Sequence, residues 1–82
     1  MKIKLTGRAK KELKSISITH LLALKQILNE LKEDPYLGKP LTRELTGRYS
    51  YRVGVYRIIY KVNKKDKIIS ILTAGHRATV YR

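Results

Sequence analysis

Arg52, Arg57 and Arg77 fall on or beside three successive strand-like stretches, and Tyr81 follows four residues after Arg77. A guanidinium is a planar fork that pairs with phosphate oxygens. Several of them converging would stabilise the extra negative charge of a phosphoryl transition state. Arginine does not serve as a general base, because its pKa exceeds about 12. Tyr81 can, if neighbouring cations lower its pKa from about 10. His76 competes for that role, with a reference pKa of about 6.5. RNA brings its own nucleophile, the 2′-hydroxyl, so such a site would cleave RNA without a metal. On the residues alone, solvated arginines on a basic sheet remain the slightly favoured reading.

Other chemistries lack their residues. A two-metal nuclease needs several convergent carboxylates. Here Glu12, Glu30, Glu33, Asp34, Glu44 and Asp66 are scattered, so no metal and no small-molecule cofactor are expected. The glycines form neither a Walker loop nor a dinucleotide-binding turn. His20 and His76 are far apart in sequence, and there is no cysteine. No Ser/His/Asp set presents itself.

Charge narrows the partners. Lysine and arginine number 19 against 6 acidic residues, a formal net charge of +13 on 82 residues. Such an excess favours a polyanionic partner. The bias is stronger in residues 42–82 (net +8) than in residues 1–41 (net +5), and five of the six tyrosines lie in that second half. No apolar run approaches the roughly 18 residues that span a bilayer. The N-terminus lacks the apolar core of a secretory signal. The expectation is one domain over residues 1–82, in the cytoplasm and without a membrane partner.

The elements that must position these residues follow from periodicity. Lys2-Ile3-Lys4-Leu5 alternates like a half-exposed strand. Ala9, Leu13 and Ile16 make the stripe of an amphipathic helix, with Lys10, Lys11 and Lys14 on its wet face. Ser15, Ser17 and Thr19 read as a tight turn with an N-cap. A second helix is predicted from about Thr19 to Glu33, burying Leu21, Leu24, Ile27, Leu28 and Leu31, and ended by Asp34-Pro35. Residues 35–48 read mostly as loop. The period then becomes two. Strands are expected at Tyr49–Val53, from Tyr56 to Val62, and at Lys67–Ala74 after a turn at Asn63–Asp66, with Gly75 as the stop. His76 to Arg82 reads as a tail or short helical turn. Tyr49, Tyr51, Tyr56 and Tyr60 read as sheet-packing residues, and His20 as a capping or surface residue. The fold class is α+β, in the order β-α-α-β-β-β. An N-terminal strand and a helical hairpin precede a three-stranded antiparallel sheet, and one sheet face is left free.

The run Tyr56-Arg57-Ile58-Ile59-Tyr60-Lys61-Val62, a charged turn, an apolar strand and then Gly75-His76-Arg77-Ala78-Thr79-Val80-Tyr81-Arg82 resembles the C-terminal half of RelE/ParE superfamily toxins. Leu45-Thr46-Gly47 and Tyr51-Arg52-Val53-Gly54 resemble the segment leading into it. The helical hairpin matches the family's first half in layout, so the resemblance covers nearly the whole chain. It implies the family's toxin fold, a RelB-like antitoxin as partner and, in the RelE branch, cleavage of mRNA on the ribosome. Arg57 matches the strand arginine of RelE-type active sites, and Arg77 the arginine after the last strand. Tyr81 matches the C-terminal tyrosine that acts on the 2′-hydroxyl. Arg52 falls where the second of two active-site lysines stands. Ser50 falls where the first would be, a departure that leaves the general acid unassigned. His76 is a position often held by histidine in the superfamily.

The resemblance thus implies a metal-independent endoribonuclease with Arg52, Arg57, Arg77 and Tyr81 as its catalytic set. Tyr81 and His76 remain alternatives for the base. Arg43 and Arg48, bordering the site, divide evenly between RNA contact and plain loop charge. Two other readings stand beside it: a ParE-type toxin that inhibits gyrase without cutting RNA, and a catalytically impaired RNA-binding module of the same fold.

Overall fold

The computed structural model describes residues 1–41 and 47–76. In chain order the elements are β1 (Lys2–Leu5), α1 (Gly7–Lys14), α2 (Ile18–Glu33), β2 (Lys39–Pro40), β3 (Arg48–Val53), β4 (Tyr56–Asn63) and β5 (Ile68–His76). The strands form one sheet in the order β1-β5-β4-β3-β2. β1 runs parallel to β5, and the other pairings are antiparallel.

Local chemistry explains the helix boundaries. The Thr6 hydroxyl accepts from the Ala9 amide at 3.2 Å and lies 2.9 Å from the Ile71 carbonyl, its acceptor on β5. One side chain therefore caps α1 and pins it to β5. Ser17 caps α2 in the same manner, accepting from His20 N at 3.5 Å. α2 stops before Pro35, and the Asp34 carboxylate takes up the Tyr36 amide at 3.1 Å. α2 buries Leu24, Ile27, Leu28 and Leu31, one face of a 3.6-residue repeat. They join Ala9 and Leu13 of α1, Ile58 and Tyr60 of β4, and Ile69, Ile71 and Ala74 of β5 in a single cluster. Each buried leucine or isoleucine of the cluster stabilises the fold by about 1.5–3 kcal/mol.

The architecture expected from sequence is present, with corrections. The sheet has five strands: β1 joins it in parallel, and the segment read as loop contributes β2. β5 does not stop at Gly75 but runs to His76, because β4 begins early enough to pair with both: Arg57 opposes Gly75, and Tyr56 opposes His76. His76 thus ends a strand instead of starting a tail. β5 begins at Ile68, not Lys67, which takes a φ of 55° as the last residue of the preceding turn. α1 ends at Lys14, so Ile16 packs against the core from the connecting turn. His20 is neither a cap nor a surface residue. It is half-buried, with Nδ1 2.6 Å from the Tyr56 hydroxyl and the two rings edge to face.

Candidate active site

The register of β3 and β4 builds the site. The hairpin joining them has a two-residue turn, Gly54-Val55, between the paired Val53 and Tyr56. Gly54 holds a φ of 58°, the left-handed conformation that glycine adopts without steric cost. Counting back from that turn places Arg52 directly opposite Arg57, and Ser50 opposite Ile59. Cross-strand partners share a face of the sheet. Tyr51 and Tyr49, paired with the buried Ile58 and Tyr60, face the helices. Arg52, Arg57 and Ser50 therefore face the other way. Lys39 of β2 is the register partner of Ser50 and joins them, and Arg48 lies further along the same face, opposite Lys61.

Lys39, Ser50, Arg52 and Arg57 line a cleft of about 480 Å³, bounded further by Leu37, Pro40, Leu41 and Tyr51. Among the described residues its charged lining is Lys39, Arg52 and Arg57, and an apolar wall from the β2 segment stands beside them. Arg57 is half-buried, and its Nε donates to the Ser50 hydroxyl at 3.2 Å. That bond fixes the plane of the guanidinium. On its other flank Arg57 is opposite Gly75, which places no side chain beside it on β5. Arg52 is exposed. Among the described lining residues, an anion in the cleft would meet two guanidinium groups and an ammonium.

Tyr51 borders the cleft but is turned away from its chemistry. Its hydroxyl donates to Glu30 Oε2 at 3.3 Å on α2. Desolvation, then the charge of Glu30, hold that phenol above its ordinary pKa of 10.0, so it stays protonated and is no base. Tyr60 also has a raised pKa, chiefly through burial, and is a structural residue beneath the site. Its hydroxyl donates to the Pro35 carbonyl at 2.8 Å and accepts from Gly38 N at 3.0 Å. Those bonds anchor the chain just ahead of β2.

Of the residues singled out from sequence, Arg52 and Arg57 come together in the cleft. Arg48 shares their face but lies outside the cleft lining. The backbone of His76 ends β5 one position beyond the Arg57–Gly75 pair. Arg43, Arg77 and Tyr81 lie outside the described residues. Lys39 was missed by sequence reasoning. It precedes a proline within a two-residue strand, too short to show any alternation. Among the described residues, no group of three His, Asp or Glu side chains is placed to hold a metal ion. None of the described helices is long and apolar enough to cross a membrane.

A sheet with one parallel edge strand under a helical hairpin is also the fold of known toxins. Residues 3–81 match the family model described as the ParE toxin of type II toxin–antitoxin systems, parDE. The chain belongs to that family, within the RelE/ParE superfamily and its RelE-like branch. It is thus a toxin of a type II toxin–antitoxin system. Among its relatives, Toxin RelG of Mycobacterium tuberculosis is 34% identical over 82 residues, covering 98% of this chain and 94% of RelG. The toxin–antitoxin complex RelBE2 of the same organism contains a chain 32% identical to this one. That match has a TM-score of 0.87 and covers 93% of this chain and 96% of that one. The archaeal RelE–RelB complex of Pyrococcus horikoshii is similar at 30% identity and a TM-score of 0.72, covering 93% of each chain.

Proposed function

We propose that this toxin is a metal-independent endoribonuclease that cleaves mRNA on the ribosome, in the cytoplasm. The observation that carries the reading is the Arg52–Arg57 pair, held opposite one another in a cleft whose charged lining, among the described residues, is cationic. The 2′-hydroxyl of one nucleotide attacks the adjacent phosphorus. The 2′-O–P bond forms, the P–O5′ bond breaks as the 5′-oxygen takes up a proton, and a 2′,3′-cyclic phosphate and a 5′-hydroxyl result; hydrolysis by water opens the cyclic ester to a 3′ phosphate. Arg57, oriented by Ser50, and Arg77 hold the phosphoryl oxygens as they gain charge, with Arg52 in support. Tyr81 takes the proton of the 2′-hydroxyl, with His76 the alternative. Arg48 extends the cationic face for contact with the RNA backbone, where contacts position without reading sequence, and Arg43 is assigned the same role from the sequence alone.

The test is primer extension on mRNA translated in the presence of purified protein. Cuts that require the ribosome support the reading. The description of the matched family as ParE favours a second reading, inhibition of gyrase without cleavage. Gyrase poisoning with intact mRNA would establish that one. Neither effect would leave an inactive RNA-binding module.

A RelB-like antitoxin is the expected partner, since the similar structures include RelBE2 and RelE–RelB complexes. The hairpin offers it a surface. Leu5, Leu13, Ile16, Ile18 and Leu21 line a groove of about 420 Å³ whose rim is Lys10, Lys14 and Lys25. Ile18 is 66% exposed. Apolar floor and lysine rim fit an acidic amphipathic segment that orders on binding. Exposed charges are screened within about 8 Å at physiological ionic strength. The association rate measured by stopped flow is therefore expected to fall steeply across a salt series. An on-rate indifferent to salt would assign the charge to RNA alone.

A further inference from the structure

We propose that the open face of the sheet holds a second phosphate subsite, formed by Lys61 and Arg48 with Lys4 in the same row, which takes a further phosphate of the RNA strand that is cut in the cleft. The inference rests on the ribonuclease reading above and adds a binding contact to it.

The ladder puts two like-charged pairs on one face. Arg52 is opposite Arg57, and further from the hairpin turn on both strands Arg48 is opposite Lys61. Like charges directly across a ladder destabilise a sheet. The first pair lines the cleft, and the second lies outside it. The second row continues across the sheet: Lys61 pairs with Ser70 of β5, and Ser70 with Lys4 of β1. Alternation along each strand fixes the direction of these side chains. Tyr60, Ile69 and Ile71 are buried under the helices, so Lys61 and Ser70 beside them point to the open side. Ile3, Leu5 and Tyr49 pack against the core and do the same for Lys4 and Arg48. Three cations and a hydroxyl therefore stand in one row. None of the five strands carries an acidic residue. A row that costs the sheet stability, with no carboxylate in the strands to offset it, is matched to an external anion.

The spacing of the two pairs says which anion. From Arg57 to Lys61 the strand advances about 13 Å. One phosphate does not reach both pairs, so the anion at Lys61 and Arg48 is another phosphate. Ser50 and Ile59, opposite one another, form the floor between the pairs. A hydroxyl and a half-buried apolar side chain let a nucleotide pass without charge repulsion. An RNA strand held at Arg57 thus runs along the β3–β4 hairpin from one pair to the next. Lys4 and Lys61 are exposed and Arg48 is half-buried, so the row is open to a ligand of that size. Cations hold phosphate oxygens whatever the base, so this subsite anchors the strand and reads no sequence.

The test is single-turnover cleavage of ribosome-bound synthetic mRNA, with toxin in excess and its concentration varied. One phosphate contact to a single strand contributes about 0.7 to the salt slope of binding, a factor of roughly 4 between about 1 M and about 0.15 M salt. Lys61→Gln and Arg48→Gln are each expected to raise the half-saturating concentration about 4-fold at about 0.15 M salt. The effect should fall there and not on the saturated rate, because the contact is made before and during the reaction alike. Lys61→Arg should bind as wild type does. Thermal unfolding separates binding from folding: relief of the like-charged pair should leave Lys61→Gln at least as stable as wild type. A drop in its unfolding temperature would make the pair structural and overturn the proposal. The partner is identified by replacing phosphates near the cut, one at a time, with uncharged methylphosphonates. At one linkage other than the cleaved one, wild type should weaken about 4-fold and Lys61→Gln should weaken no further. A Lys61→Gln defect that is undiminished on every such mRNA would assign the row to ribosomal RNA, and the subsite would fall. Wild-type half-saturation from both glutamine variants would refute the subsite and leave the ribonuclease intact. A wild-type protein that cuts no mRNA would remove the ribonuclease reading and the subsite with it.

Discussion

On the proposed ribonuclease reading, an Arg57→Ala toxin is expected to fold and to cleave ribosome-bound mRNA about 10²–10³ times more slowly than wild type, the usual loss when one donor to a developing oxyanion is removed. The size of the effect follows from placement. Arg57 is half-buried, flanked by Arg52 on β3 and by side-chain-free Gly75 on β5, and its plane is set by the bond to Ser50. Its guanidinium is pre-oriented, so little reorganisation is needed when phosphate charge builds. Arg57→Lys should not recover the rate, because an ammonium lacks the planar fork. Arg52→Ala should cost less, since Arg52 is exposed. Stability should change little, as the lost Arg57–Ser50 bond contributes about 0.5–1.5 kcal/mol. Single-turnover cleavage rates beside thermal unfolding decide the matter: a folded Arg57→Ala protein cutting at the wild-type rate would sink the assignment.

The Arg52–Arg57 pairing was within reach of the sequence, because one local feature determines it. Gly54-Val55 between two alternating runs is a two-residue hairpin turn, and a two-residue turn fixes the register of every pair behind it. The helices were legible for a similar reason: Leu24, Ile27, Leu28 and Leu31 repeat with the helix period, and Pro35 ends it. What could not be read depends on contacts distant along the chain. β2 is Lys39-Pro40, with no period to detect, and it is a strand only because Tyr49 and Ser50 offer it an edge. Gly75 looked like a stop because glycine weakens strands, yet its ladder partners on β4 continue. The His20–Tyr56 bond joins residues 36 apart, and Glu12 reaches from α1 to the Thr73 hydroxyl at 2.7 Å across 61 residues. No local pattern announces either contact. Lys39 went unnoticed for the same reason as the strand that presents it.

Beneath that strand lies the position whose substitution should weaken the fold most subtly and most measurably. The ring of Tyr60 is fully buried and stacked on Tyr49 at 5.4 Å between centroids, and its hydroxyl serves both Pro35 O and Gly38 N. Tyr60→Phe leaves a carbonyl and an amide without that partner, and it is expected to destabilise by about 2 kcal/mol or more, since each buried group left unsatisfied costs about 1–3 kcal/mol. Gly38→Ala attacks the same contact from the other side. A Cβ there would lie 2.6 Å from the Tyr60 hydroxyl oxygen and 3.1 Å from the Ser50 carbonyl oxygen. The stacked ring has little room to withdraw, so overpacking should cost about 1–3 kcal/mol. In the double variant the offending hydroxyl is gone. Its loss should therefore be smaller than the two single losses added together, the signature of residues in direct contact. Alkaline titration provides an independent check. Burial raises the Tyr60 pKa above the 10.0 of an unfolded tyrosine, so the unfolded chain ionises first. The contribution of the neutral phenol is complete below pH 10.0 and is lost as pH climbs through the raised folded value. Denaturant unfolding on both sides of pH 10 should accordingly show the gap between wild type and Tyr60→Phe narrowing as the solution becomes alkaline. A gap that does not change with pH would mean that the Tyr60 hydroxyl is not held neutral by the fold.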